Sequence, residues 1–139
     1  MKITTDTNIL ISSTFWKGDS LRIMDLVENG EIELFLSEEI IEEFKEVLDY
    51  EEIKDKIRDK NLEMKRTAEE VIALSNIVIP RRKIDVVKND SDDNKIIECA
   101  VEGKVDYVVT NDFHLLDLKE FEGIKIITPG DLLEKIAKS

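Results

Sequence analysis

Short β-rich runs alternate with helical patterns along the whole chain. The runs are Lys2–Thr5, Glu33–Leu36, Ile77–Ile79, Val105–Val109 and Ile124–Ile127. Helical apolar spacing falls between them, near 20–28, 38–49, 52–75, 92–102 and 130–137. A chain that alternates in this way buries its strands on both faces, so the pattern predicts an α/β fold with a central, mainly parallel five-stranded sheet covered by helices on both faces. The length of 139 residues suits one domain spanning 1–139, and 42% hydrophobic residues suffice for its core.

Several boundaries have a local cause. Ser37 can cap the helix that opens with Glu38 and Glu39, and Gly103 suits the left-handed residue that ends a helix. Thr128-Pro129-Gly130-Asp131 reads as an N-cap, a proline in the first turn and an acid close behind it. Residues 52–75 read as one long helix or two joined near Asn61.

In an open α/β sheet, ligands gather at the carboxyl ends of the strands, so the acids there matter most. Asp6 follows the first strand directly, with Thr7 or Asn8 to steady it. Asp112 follows the fourth. Glu43 lies within the run Glu38, Glu39, Glu42, Glu43 and Glu46, most of which reads as a solvated helix face. At about 100° per residue, however, Glu43 falls at the edge of the stripe made by Ile40, Ile41, Phe44, Val47 and Leu48. Asp93 precedes Ile96, Ile97, Ala100 and Val101 on the face that should meet the sheet, with Asp90 as the expected N-cap. A lone buried carboxylate is costly, and clustered ones repel unless protonated or neutralised by cations. Such oxygen ligands favour Mg2+ or Mn2+, ions that suit phosphodiester hydrolysis.

Composition excludes other classes. With 32 acids against 20 bases, the net charge of −12 leaves no general basic surface for nucleic acid. One Cys and one His cannot form a disulfide or a Cys/His zinc site, and the lone Cys fits a reducing cytoplasm. No apolar stretch approaches a membrane span, and the N-terminus lacks a signal-peptide core.

The ordered set of motifs resembles the PIN-domain nucleases, particularly the prokaryotic branch of toxin components in toxin–antitoxin systems. The motifs are Asp6-Thr7-Asn8, then Ser37–Phe44 with Val47-Leu48, then Asp90-Ser91-Asp92-Asp93 through Ala100, and lastly Tyr107–Asp112. The resemblance implies a compact PIN-like sandwich and Mg2+- or Mn2+-dependent cleavage of RNA. It matches Asp6, Glu43, Asp93 and Asp112 to the acidic metal-binding positions, and Asn8 and Thr110 to supporting polar ones. It also implies a homodimer neutralised by an antitoxin protein. The chain departs at Ser91, where this branch often carries Pro.

The reading that follows is an endoribonuclease in which water attacks the phosphodiester in line, without a covalent intermediate. Arg81, Arg82 and Lys83, the densest basic run, are candidates for holding RNA phosphates at the same sheet edge. His114 reads as a turn residue, Cys99 as a small buried apolar group, and Phe15 and Trp16 as hydrophobic cover. A catalytically silent PIN-like protein acting through partner association is the alternative. A phosphoryl-accepting receiver lacks its acceptor, because Ile77-Val78-Ile79 runs into Pro80 with no Asp at the tip. An aspartyl phosphatase would need a second acid at Asn8.

Overall fold

A computed structural model describes all 139 residues. The elements run β1 (Lys2–Thr5), α1 (Thr7–Ser13), α2 (Asp19–Glu28), β2 (Glu33–Ser37), α3 (Glu38–Leu48), α4 (Glu51–Asp59), α5 (Ala68–Ala73), β3 (Asn76–Val78), α6 (Asn94–Gly103), β4 (Tyr107–Val109), α7 (Phe113–Leu116), β5 (Glu120–Phe121), β6 (Ile124–Ile127) and α8 (Pro129–Ala137). A 3₁₀ turn at Ser91–Asp93 leads into α6.

The sheet has six strands in the order β3-β2-β1-β4-β6-β5. All pairs are parallel except β5 with β6. The extra strand beyond the expected five is β5, two residues that fold back on β6; it is too short to carry a two-residue hydrophobic period. In β1 the Thr4 hydroxyl meets the Cys99 thiol of α6, so that face is covered by α6. Ile3 and Thr5 point to the opposite face and are equally buried. The sheet is therefore sandwiched, and Ile3, Leu34, Leu36, Ile96, Ile97 and Val108 belong to one apolar core.

The caps formed as their residues dictate. Ser37 accepts from the Ile40 amide and Thr128 from the Asp131 amide. The 52–75 pattern resolves into two helices, α4 and α5, with Asn61 in the left-handed conformation at φ 51° where the chain leaves α4. Thr67 then caps α5.

One cap differs from expectation. Gly103 is the last residue of α6, and Lys104 takes the left-handed position at φ 52°. Gly103 is needed for another reason: a Cβ there would sit 3.2 Å from the Phe35 side chain, so its missing side chain lets α6 lie close on β2. The two roles separate experimentally. Lys104→Gly should raise stability by about 0.5–1 kcal/mol by relieving the left-handed strain. Gly103→Val should lower it by about 1–3 kcal/mol through overpacking. Urea unfolding of both variants checks this; an unaffected Gly103→Val would show that the contact is not tight.

Candidate metal centre

β1 sits between β2 and β4, so the connections leave it in opposite directions along the sheet. That makes the gap beyond the carboxyl ends of β1 and β4 the switch point, where an open parallel sheet leaves a crevice. Asp6 emerges from β1, and Thr110 and Asp112 from β4. The Thr5–Val109 register fixes their relative height.

Asp6 is buried, at 7% exposure. Its Oδ1 accepts from the Ile9 amide at 2.9 Å, capping α1, and its Oδ2 accepts from the Thr110 hydroxyl. The same Thr110 oxygen accepts from the Asp112 amide at 3.0 Å, and Asp112 Oδ1 accepts from the His114 amide at 2.7 Å. One threonine thus positions both acids. Each Asp6 oxygen still carries a free lone pair, so these bonds orient the carboxylate without exhausting it.

Asp90 caps the 3₁₀ turn, accepting from the Asp92 amide at 3.2 Å. Asp93 stands at the N-cap position of α6 but makes no capping bond. Its Oδ2 is buried and has no hydrogen-bond partner. Carboxylate oxygens of Asp90, Asp93 and Asp112 lie within 4.8 Å of one another. Burial pushes the Asp93 carboxyl up to about 7, helped by the charges of Asp112, Asp90 and Asp6. Asp6 is raised too, chiefly by burial, against the hydrogen bonds from Thr110 and Ile9 and with the charges of Asp112 and Glu43 adding to it.

An orphaned buried oxygen beside two further carboxylates is what a hard divalent cation satisfies. The donor set is all oxygen, as Mg2+ or Mn2+ requires and as soft metals do not. The residues present therefore fit such an ion.

The close trio contains Asp90, which the sequence places as an N-cap supporting the acids rather than among them. Asp6 borders it through Thr110. Glu43 is half-buried while Glu39, Glu42 and Glu46 are exposed, and it is paired with the Lys95 ammonium. Lys95 was missed by sequence reasoning because a lysine in the first turn of a helix reads as solvated. It reaches Glu43 because α6 packs against α3.

Other expectations changed on contact with the geometry. Asn8 is exposed and makes no hydrogen bond to Asp6; the Ile9 amide and Thr110 steady it instead. Arg81 and Arg82 do not reach the carboxyl edge. The Arg81 amide binds Glu102 near the far end of α6, and the Arg82 guanidinium grips Glu122 at 2.7 and 2.8 Å in the turn entering β6. The chain doubles back along α6 after β3, held by Glu98 and Asn94, which accept the amides of Ile84, Val86 and Val87. Lys83 alone of the three lines a cleft shared with Ser91, Asp92 and Lys95. Burial pushes the Cys99 thiol up to about 11, an inert group.

Residues 2–114 match the family model for the PIN domain. The match spans most of the chain and includes Asp6, Glu43, Asp90, Asp93 and Asp112: the chain belongs to the PIN-domain family. That is a nuclease family, and its enzymes typically depend on divalent metals. No curated protein matches the chain. No helix is long and apolar enough to cross a membrane.

The raised Asp93 carboxyl has a consequence for the metal-free protein. Its value is higher folded than the ordinary 3.8, so the folded state holds the proton more tightly. Below about pH 4 the group is neutral in both states and costs nothing; as pH rises toward about 7, stability is lost. Asp93→Asn should therefore gain stability over the parent across pH 4–7, with the gain level above that. Thermal melts with a chelator present check this, and a difference that does not vary with pH would contradict it.

Proposed function

We propose that the protein is a Mg2+- or Mn2+-dependent endoribonuclease, the toxin of a toxin–antitoxin pair. The observation that carries the enzymatic reading is the partnerless buried Oδ2 of Asp93, on a carboxylate that lies within 4.8 Å of those of Asp90 and Asp112. A bound divalent cation supplies charge to neutralise the phosphate and lowers the pKa of attacking water. Asp93 and Asp112 would hold it, with Asp90 completing the near set and Asp6 and Glu43 on its border. Thr110 keeps Asp6 and Asp112 aimed at one point. Asp6, oriented but not exhausted by its hydrogen bonds, is placed to receive a proton from water as it attacks. Lys95 offsets part of the repulsion that five acids create, which lets the centre persist before a cation arrives.

The toxin assignment rests on the resemblance of the motifs to that branch. It carries with it a homodimer, a neutralising antitoxin and a cytoplasmic site of action. Induced expression that halts growth, relieved by the small protein of the neighbouring reading frame, tests this part alone.

The chemistry is tested with a labelled oligoribonucleotide. Cleavage should require added Mg2+ or Mn2+ and stop with chelator. Asp93→Asn should reduce it by at least ~10–100-fold, the usual cost of disturbing a metal site's support. A protein that cleaves no RNA with either metal is the silent binder instead. Thr110→Val separates orientation from ligation. It removes the hydroxyl that serves both acids while keeping shape, and should cost ~10–100-fold in rate and about 1–3 kcal/mol in stability, because Asp6 Oδ2 loses its partner. Full activity in this variant would remove Thr110 from the account.

A further inference from the structure

A second polar cleft, of ≈ 650 Å³, opens at the same edge of the sheet as the acids and has no hydrophobic residue in its lining. Lys17, Gly18, Ser20, Asn111, Thr128 and Gly130 form its walls. Asn111 is the residue before Asp112, so the cleft adjoins the metal centre along the loop that leaves β4.

Two helices begin there. α2 has ten residues and starts at Gly18, which has no side chain to cap it, so its first amides lack an acceptor. α8 has nine and starts at Thr128, whose hydroxyl serves the Asp131 amide and leaves the Gly130 amide free. Each start carries roughly half a positive charge. Two such ends would not by themselves define a site. Ser20 supplies the independent observation: it is buried at 7% exposure, lines the cleft, and its hydroxyl has no hydrogen-bond partner in the chain. Lys17 adds an ammonium that forms no ion pair. One group opposes: the Asp19 carboxylate lines the cleft, its Oδ1 3.7 Å from Arg22 and its Oδ2 3.5 Å from the point where a Gly130 Cβ would stand. Lys17 and Asp19 cancel in formal charge, and the start of α2 with the Ser20 hydroxyl still faces the cleft.

We propose that this cleft binds a backbone phosphate of the RNA strand flanking the cleaved bond, in a protein whose overall charge repels RNA. The proposal rests on the endoribonuclease reading and supplies what that reading lacks, since Arg82 is spent on Glu122 far from the acids. A phosphate here receives amides from the start of α2, a hydroxyl from Ser20 and an ammonium from Lys17, and it displaces Asp19 Oδ2 from beside Gly130 at the start of α8.

The test measures binding of a fluorescent eight-residue oligouridylate in chelator, where no cleavage occurs, and Mn2+ affinity separately. Two variants are used. Lys17→Ala/Ser20→Ala removes the donors. Ser20→Asp places a carboxylate in the first turn of α2, a position that favours the helix and so preserves the fold while excluding phosphate. Both should weaken oligonucleotide binding about tenfold or more. The double variant should also lower the salt dependence by about 0.7 in slope, the share of one phosphate on a single strand. Mn2+ affinity should stay within about twofold. Oligonucleotide affinity that is the same in parent and variants, or undetectable in the parent, overturns the proposal. So does inorganic phosphate binding as tightly as the oligonucleotide, which would make the cleft a free-phosphate site. A parent that binds RNA through Lys17 and Ser20 but never cleaves it keeps the cleft and rejects the nuclease; a parent that cleaves with unchanged binding in the variants does the reverse.

Discussion

The Thr110 hydroxyl is the joint on which the acidic centre depends. It donates to Asp6 and accepts from the Asp112 amide, so one oxygen ties the end of β1 to the end of β4. Carboxylates brought this close repel one another, and nothing in the core compensates for that. They stay together because each is held by a bond that a neighbour could not replace: Asp6 by Thr110 and the Ile9 amide, Asp112 by the His114 amide, Glu43 by Lys95. Asp93 is the exception. Its Oδ2 has no such bond, and its raised carboxyl registers the cost of burial among like charges.

The topology explains why the acids meet at all. Asp6 and Asp112 stand more than a hundred positions apart in sequence, yet parallel pairing of β1 with β4 makes them neighbours. α6 then runs back under the same strands and holds Asp93 at its N-cap. The acids come from four elements of a rigid frame, and the frame is stabilised by apolar burial elsewhere. Stability and chemistry are therefore separable: the site lowers stability, and Ile3, Leu34, Ile97 and their neighbours sustain it.

Much of this was legible in the residues. Strand and helix alternation led to the parallel sandwich because burial on both faces leaves near-continuous apolar runs. Asp93 stood out because an acid opened an otherwise apolar helix face, and Glu43 because it bordered the stripe of α3. What stayed hidden has physical reasons. β5 is too short for a period to show. Gly103 looked like a helix terminator, since a close approach to Phe35 leaves no local trace in sequence. The basic run 81–83 looked aimed at the acids because it follows β3; the reversal along α6 that carries Arg82 to Glu122 depends on bonds from Glu98 and Asn94 that only the fold brings into range. Ser20 reads as an ordinary helix serine until α8 is seen to begin beside it.

The central claim is that a divalent cation completes the crevice beyond β1 and β4. The most direct measurement is anomalous diffraction from crystals soaked in Mn2+. The account predicts a peak bonded to carboxylate oxygens of both Asp93 and Asp112, at about the 2.1 Å that small divalent ions adopt, with Asp6 or Asp90 close by. A saturated soak whose peaks all lie elsewhere, with the Asp93 oxygen still unpartnered, would contradict it.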